Sequence, residues 1–158
     1  MASIRRVAVV ACIALLVAFA TSIASADTVR CEPLVREGKL VGYCVTVCNG
    51  LEDPCTEAGC IYDLHLTIVS KCKFRQIKGI PAGWTGTITG DAVQANFVTP
   101  PPTGGEPNPI RPGQCRRFCF TVDCTVNQCF EIEWATTDKQ GQILDSGATR
   151  CCPPAPAG

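Results

Sequence analysis

The chain has 158 residues, and its 14 lysines and arginines balance 14 aspartates and glutamates, so the formal net charge at pH 7 is zero. This balance excludes the strongly basic composition of a general nucleic-acid-binding protein, and the length suits a single domain with its own core. Thirteen cysteines in so short a chain are typical of an exported, disulfide-linked protein.

Residues 1–26 have the features of a secretory signal peptide. Arg5 and Arg6 precede an apolar run from Val7 to Ala20, and the small residues Ala24 to Ala26 follow. The run is shorter than the roughly 18 apolar residues that span a bilayer, so we expect cleavage before Asp27 and no membrane span afterwards. The mature chain would then be secreted to the extracellular space or cell surface, with the periplasm as an alternative, and would carry a formal charge of about −2 because two arginines are lost.

Residues 27–152 predict one all-β domain. Apolar and polar residues alternate, β-branched residues are abundant, and glycine or proline interrupts nearly every possible helix. Eight or nine short strands with frequent turns are typical of a β-sandwich. The predicted strands are Thr28 to Val35, Leu40 to Cys48, Ile61 to Ser70, Cys72 to Lys78, Thr85 to Thr89, Ala92 to Val98, Gln114 to Val122, Gln128 to Thr136 and Gln142 to Arg150.

Turns and loops separate these strands. Glycines in Glu37-Gly38-Lys39 and Gly90-Asp91 predict tight hairpins, because glycine accepts the positive φ that such turns need. The segment Thr99 to Gly113, with the sequence TPPPTGGEPNPIRPG, predicts a long surface loop or a crossover between sheets, since proline has no N–H to donate to a ladder. Residues 153–158 predict a disordered tail.

Twelve cysteines remain after residues 1–26 are removed. Eight of them form a doubled pattern of C-x3-C followed by C-x4-C, which duplication or convergent hairpin construction could both produce. The first copy is Cys44, Cys48, Cys55 and Cys60, the second is Cys115, Cys119, Cys124 and Cys129, and the other four are Cys31, Cys72, Cys151 and Cys152.

Strand geometry limits how these cysteines pair. Cys44 and Cys48 should lie on one face of a strand about 13 Å apart, beyond the Cα separation of about 7 Å that a disulfide tolerates, and the same holds for Cys115 and Cys119. These four must therefore reach other strands. The short spacings predict two local bridges, Cys55 with Cys60 and Cys124 with Cys129.

The remaining pairings are open on sequence alone. Cys151 and Cys152 point to opposite sides of an extended chain, so we expect them to bond two different partners. The partners of Cys31 and Cys72 are also unassigned. Thiolate coordination of zinc is an alternative use of the cysteines, but an oxidising compartment favours about six disulfides and no metal or other cofactor.

No catalytic constellation stands out in the sequence. His65 and the pair Glu131 and Glu133 alternate with apolar residues on their predicted strands, which predicts solvated or hydrogen-bonded side chains above an apolar inner face. We therefore expect no enzymatic activity.

A more distinctive surface feature is a basic row, formed by Lys71, Lys73 and Arg75 on one face of a predicted strand. Such a row could bind an anionic polymer, and the alternative is a solvated strand whose lysines prevent edge-to-edge aggregation.

Half of the mature chain carries further motifs between Pro81 and Gly147, among them a tryptophan at a strand start, the turn PIRPG with the pattern P-x-x-P-G, and a D-x-x-G hairpin. These resemble the Ig-like sandwiches of secreted bacterial surface proteins. The resemblance implies a role in adhesion, carbohydrate contact or envelope architecture, and it implies no catalytic residue.

Together these observations predict a non-enzymatic, secreted structural or adhesion module, with self-assembly or an extracellular protein or polysaccharide as its partner. The alternatives are a soluble binding module or inhibitor that uses the Pro-rich loop or the basic row, and a cysteine-based metal-binding protein.

Overall fold

A computed structural model describes residues 27–51, 58–124 and 128–155. The predicted signal peptide, Cys55 and the last three residues of the predicted tail lie outside these ranges. The described residues form nine β-strands: β1 Thr28–Arg36, β2 Lys39–Cys48, β3 Asp63–Ile68, β4 Phe74–Gly79, β5 Thr85–Ile88, β6 Gln94–Val98, β7 Cys115–Val122, β8 Phe130–Thr137 and β9 Ile143–Cys151.

The strands form two antiparallel sheets, which confirms the predicted β-sandwich. The four-stranded sheet has the order β1-β2-β7-β4, and the five-stranded sheet has the order β5-β6-β3-β8-β9. The expected alternation is present on β8, where Glu131 and Glu133 are exposed while Ile132 and Trp134 are buried. Each sheet therefore contributes one apolar face to a shared core.

Aromatic side chains join the sheets across that core. Tyr43 of β2 contacts Phe130 of β8 with ring centroids 4.9 Å apart, and Phe97 of β6 lies 4.9 Å from Phe118 of β7. Phe118 is fully buried and also contacts Trp84, edge to face, at 5.1 Å. Trp84 is thus a core residue that tethers the start of β5.

The two predicted hairpin turns form, by different backbone solutions. Glu37 and Gly38 both have positive φ, 50° and 74°, the pattern of a type I′ turn. In the second turn the positive φ belongs to Ala92, at 60°, and not to Gly90, so the expectation for that glycine is wrong. The Asp91 carboxylate accepts hydrogen bonds from the Thr89 hydroxyl and the Val93 N–H, which holds the turn without a left-handed glycine.

Five disulfides are described, and four of them follow the registers of the antiparallel ladders. Cys44 lies directly opposite Cys119 and Cys48 opposite Cys115 in the β2–β7 pair, each with Cα atoms 4.0 Å apart. The prediction that these four cysteines bond across strands is confirmed.

Two further bridges continue a ladder just beyond its ends. Cys72–Cys124 extends the β4–β7 register, and Cys129–Cys152 extends the β8–β9 register. The predicted Cys124–Cys129 bridge is therefore wrong. The chain leaves the four-stranded sheet after β7 and enters the five-stranded sheet at β8, so these two cysteines belong to different sheets, which pack about 10 Å apart.

The fifth bridge joins the sheets themselves. Cys31 of β1 bonds Cys151 of β9, and both are edge strands of their sheets. Cys151 and Cys152 thus have different partners, as predicted. Cys60 is also disulfide-bonded, while its predicted partner Cys55 lies outside the described residues.

Candidate binding surface

One end of the sandwich gathers the longest connections. The segments after β2, β4, β6 and β8 all leave at this end, beside the start of β1. The largest described segment is the Pro-rich loop, residues 99–113 between β6 and β7. Loops that project from a rigid sandwich are a common location of binding surfaces, which makes this end the candidate binding surface.

The first anchor of the Pro-rich loop is Thr99, which is only 4% exposed. Its hydroxyl donates to the Gly83 carbonyl at 2.6 Å and accepts from the Asn108 N–H at 2.8 Å. One side chain therefore connects the beginning of the loop, its far side and the β4–β5 connection. Gly83 has φ of +78°, and a Cβ there would lie 2.8 Å from the Asn108 Cβ, so only glycine allows this approach.

Asn108 is the second anchor. Its side-chain amide donates to the Ala82 carbonyl at 2.7 Å, and its backbone carbonyl accepts from the Trp84 indole N–H at 2.7 Å. The Arg116 guanidinium lies 3.4 Å from the Asn108 side-chain oxygen. These bonds fix the returning limb of the loop to the buried Trp84.

The third anchor is formed by Ile110 and Asn49. Ile110 is fully buried and forms an isolated β-bridge with Ile61. Asn49, 2% exposed, donates from its amide to the carbonyls of Gly59 and Ile110, at 2.8 and 2.9 Å. The returning limb of the Pro-rich loop is therefore anchored in the core by the Ile110 side chain and by hydrogen bonds from Asn49.

Between these anchors the loop is exposed. Residues 102–107, PTGGEP, all lie at the surface, and the Gly104 N–H donates to the Pro101 carbonyl at 2.9 Å to close a turn at their centre. Glu106 is the one charged side chain of this segment, which we call the loop tip. The loop tip is thus a short, exposed segment held at its two ends by the hydrogen bonds of Thr99 and Asn108.

The same end contains a partly buried acidic cluster, formed by Asp27 and Asp145, that the sequence did not predict. The Asp27 carboxylate accepts from the Thr136 hydroxyl at 2.7 Å and from the Gly50 N–H at 3.1 Å, and the Asp27 backbone N–H donates to Asp145 at 2.8 Å. Burial raises the pKa of Asp27, the nearby Asp145 charge adds to that effect, and the two hydrogen bonds partly oppose it. Asp27 is 109 residues from Thr136 and 118 residues from Asp145 in sequence, so no local motif predicts the cluster.

The predicted basic row does not form on one strand. Strand β4 begins at Phe74, so Lys71 and Lys73 precede it and only Arg75 lies within it. Arg75 is 2.9 Å from Asp123, whose carboxylate also accepts the Lys73 backbone N–H. Hydrogen bonds from Thr89 and Val93 lower the pKa of Asp91, and the Lys73 charge makes a smaller contribution in the same direction. Strand β4 is an edge strand, with register shifts beside Arg75 and Lys78. This location favours the interpretation that the basic side chains prevent edge-to-edge pairing.

The side chains considered for catalysis lie on the outer face of the five-stranded sheet. His65 Nδ1 is 2.9 Å from the Asn96 side-chain oxygen on the neighbouring strand, so it is a hydrogen-bonded sheet histidine as predicted. Glu131 lies opposite Arg150, and Glu133 lies between Thr67 and Ala148.

The cysteines favour disulfides over metal binding. All eleven that lie in the described residues are disulfide-bonded, and a bonded sulfur carries no thiolate charge for zinc. Within the same residues, no group of three or more histidine, cysteine or acidic side chains is arranged to hold a metal ion.

Comparison with known proteins gives structural similarity alone. No protein-family model matches the chain, and no curated protein sequence matches it. Across the described ranges, no helix is long and apolar enough to cross a membrane.

Several solved structures have a similar fold. The human F-spondin reeler domain has a TM-score of 0.46 and 11% identity, over 81% of this chain and 92% of that one. An uncharacterized Nocardia farcinica protein with an immunoglobulin-like fold has a TM-score of 0.40 and 15% identity, over 71% and 89%. The collagen-binding domain of a Staphylococcus aureus adhesin has a TM-score of 0.39 and 8% identity, over 84% and 99%. The expected resemblance to Ig-like sandwiches of bacterial surface proteins is thus confirmed, and at these values it gives no information about ligands.

Proposed function

We propose that this chain is a non-enzymatic, exported binding module of the adhesion type, in which a cross-linked sandwich presents the loop tip to an extracellular protein or polysaccharide. The observation that carries the proposal is the contrast within one loop, between Thr99 and Ile110, which are buried, and residues 102–107, which are exposed.

That contrast favours binding because it prepares the loop in advance. Ordering a flexible loop on binding costs free energy, whereas a loop already fixed at both ends avoids most of that cost. The anchors also use polar groups of Thr99, Asn108 and Asn49, and a purely connecting loop would not require the burial of Thr99 and Asn49. The disulfides beneath the loop make the supporting sheets rigid as well.

A non-enzymatic role is supported by the environments of the side chains considered for catalysis. His65 is hydrogen-bonded to Asn96, and Glu131 lies opposite Arg150, so each is accounted for within the outer face of a sheet. The same proposal includes a structural role, in which many copies of the sandwich assemble in an extracellular matrix.

The proposal is tested by retention of the purified, oxidised protein on immobilised collagen, fibronectin, cellulose and pectate. Replacing residues 102–107 with a Gly-Ser segment of equal length should reduce retention on the bound material at least tenfold, since the contact surface is lost. Glu37→Gln, in the hairpin at the opposite end, is the matched control and should change nothing.

Two results would contradict this function. Failure of the wild-type protein to bind any of the four surfaces is one, and full retention of the loop-tip variant is the other. Loss of pectate binding in the triple variant Lys71→Gln, Lys73→Gln and Arg75→Gln, with the loop-tip variant unaffected, would instead support the basic-row alternative.

A further inference from the structure

The acidic cluster at the loop end of the sandwich has an unusual hydrogen-bond donor. The group that faces Asp145 is the backbone nitrogen of Asp27, 2.8 Å from the carboxylate oxygen and 118 residues away in sequence. This bond links the residue just before β1 to β9, the strand that the Cys31–Cys151 disulfide also joins to β1. The Asp145 carboxylate is thus aimed at the chain position where the predicted signal peptide ends.

The cluster brings two acidic side chains together. Asp27 is 8% exposed, and its carboxylate contacts Thr136 and Gly50. Burial raises the pKa of Asp27, and the nearby charge of Asp145 adds to that effect. In a chain that continues before Asp27, the donor to Asp145 is a neutral peptide N–H. A cation at that nitrogen would oppose both negative charges at hydrogen-bond distance.

We propose that peptidase cleavage between Ala26 and Asp27 supplies this cation, so that the new α-ammonium group of Asp27 forms an ion pair with Asp145. In the cleavage, water adds across the Ala26–Asp27 amide and the C–N bond breaks. Ala26 leaves with a carboxylate, and the Asp27 nitrogen becomes an amine that is protonated at neutral pH.

The ion pair makes the folded state more stable after cleavage than before. A charge-assisted hydrogen bond is roughly twice as strong as a neutral one, and this bond is partly shielded from water by Asp27 and Thr136. Because the folded state raises the pKa of the α-amino group, the added stability is fully present below the unfolded value of about 7.7 to 8.0 and is lost as pH rises through the higher folded value.

The test compares three oxidised chains made without extra residues: one that starts at Asp27, one that retains Ser25 and Ala26, and the Asp27 chain with Asp145→Asn. The pH dependence of α-amine labelling gives the pKa of each amino terminus. We expect a rise of about one unit in the first chain only, which corresponds to a tenfold gain in its folding equilibrium constant at pH 6.5, or about 1.4 kcal/mol.

Controls keep the result decisive. Glu133→Gln removes an exposed acid from β8 and should leave the α-amino pKa raised. If Asp145→Asn does not fold, the first two chains still differ only in their amino termini, and equal urea midpoints at pH 6.5 would overturn the proposal. An unshifted α-amino pKa at Asp27, or an exported chain whose amino terminus is not Asp27, would also overturn it. These outcomes do not depend on any ligand, so they are independent of the proposed function.

Discussion

At the scale of single residues, the loop end depends on polar side chains that the core encloses. Asn49 illustrates this, because its amide donates to two carbonyls and its side-chain oxygen accepts from the Leu51 N–H at 3.1 Å. In the sequence it is an ordinary asparagine after a strand, where a solvated turn would be expected. Its burial follows from the return of Ile110 to Ile61, a long-range contact that local patterns do not encode.

Replacing Asn49 with alanine should destabilise the protein by about 2 to 3 kcal/mol, because the carbonyls of Gly59 and Ile110 lose their donor in a buried site. Urea unfolding of the oxidised protein measures this. Asn96→Ala is the matched control: Asn96 is partly exposed beside His65, so its loss should cost less than about 1 kcal/mol. Equal effects of the two substitutions would show that Asn49 has no special anchoring role.

At the scale of elements, the sequence predicts strands better than their partners. All nine predicted strands form, with ends within two residues of the observed ones, because alternation and turn residues are local properties. The order of strands in each sheet depends on long-range pairs such as Cys44 and Cys119, which are 75 residues apart, and the Cys31–Cys151 bridge spans 120 residues. No local pattern reports such distances.

The doubled cysteine pattern contained more information than the prediction used. Two C-x3-C segments on antiparallel strands place both pairs of cysteines in register, as Cys44–Cys119 and Cys48–Cys115 show. The matching spacing therefore reflects a shared ladder, and duplication is not needed to explain it. The C-x4-C segments misled because loop length suggested a local bridge, whereas Cys124 and Cys129 each continue a different ladder.

This assignment predicts which thiol appears when one cysteine is removed. Cys129→Ala should leave Cys152 free, so alkylation of the native variant followed by peptide mass analysis should label Cys152 while Cys124 stays blocked by Cys72. As a control, Cys31→Ala should expose Cys151 alone. Labelling of Cys124 in the Cys129→Ala variant would show that Cys124 bonds Cys129 in the native protein, and it would refute the ladder assignment.

At the scale of the whole molecule, covalent links and packing close the sandwich on different sides. Cys31–Cys151 joins the edge strands β1 and β9, whereas the opposite edges meet through packing, with a Cβ on Gly86 of β5 placed only 2.7 Å from the Ile77 side chain of β4. The five described bridges span sequence separations from 23 to 120 residues, so they restrict most of the unfolded chain.

Complete reduction should therefore unfold the protein. Loss of one native disulfide typically costs about 2 to 5 kcal/mol, so losing five costs about 10 to 25 kcal/mol, which equals or exceeds most of the roughly 5 to 15 kcal/mol by which a domain is usually stable. At pH 7, the reduced chain should lose its near-ultraviolet circular dichroism at 25 °C and should show no cooperative transition on heating. The oxidised chain should keep both. Retention of a cooperative transition after verified reduction would mean that the aromatic core around Phe118 and Phe97 holds the sheets together without the bridges.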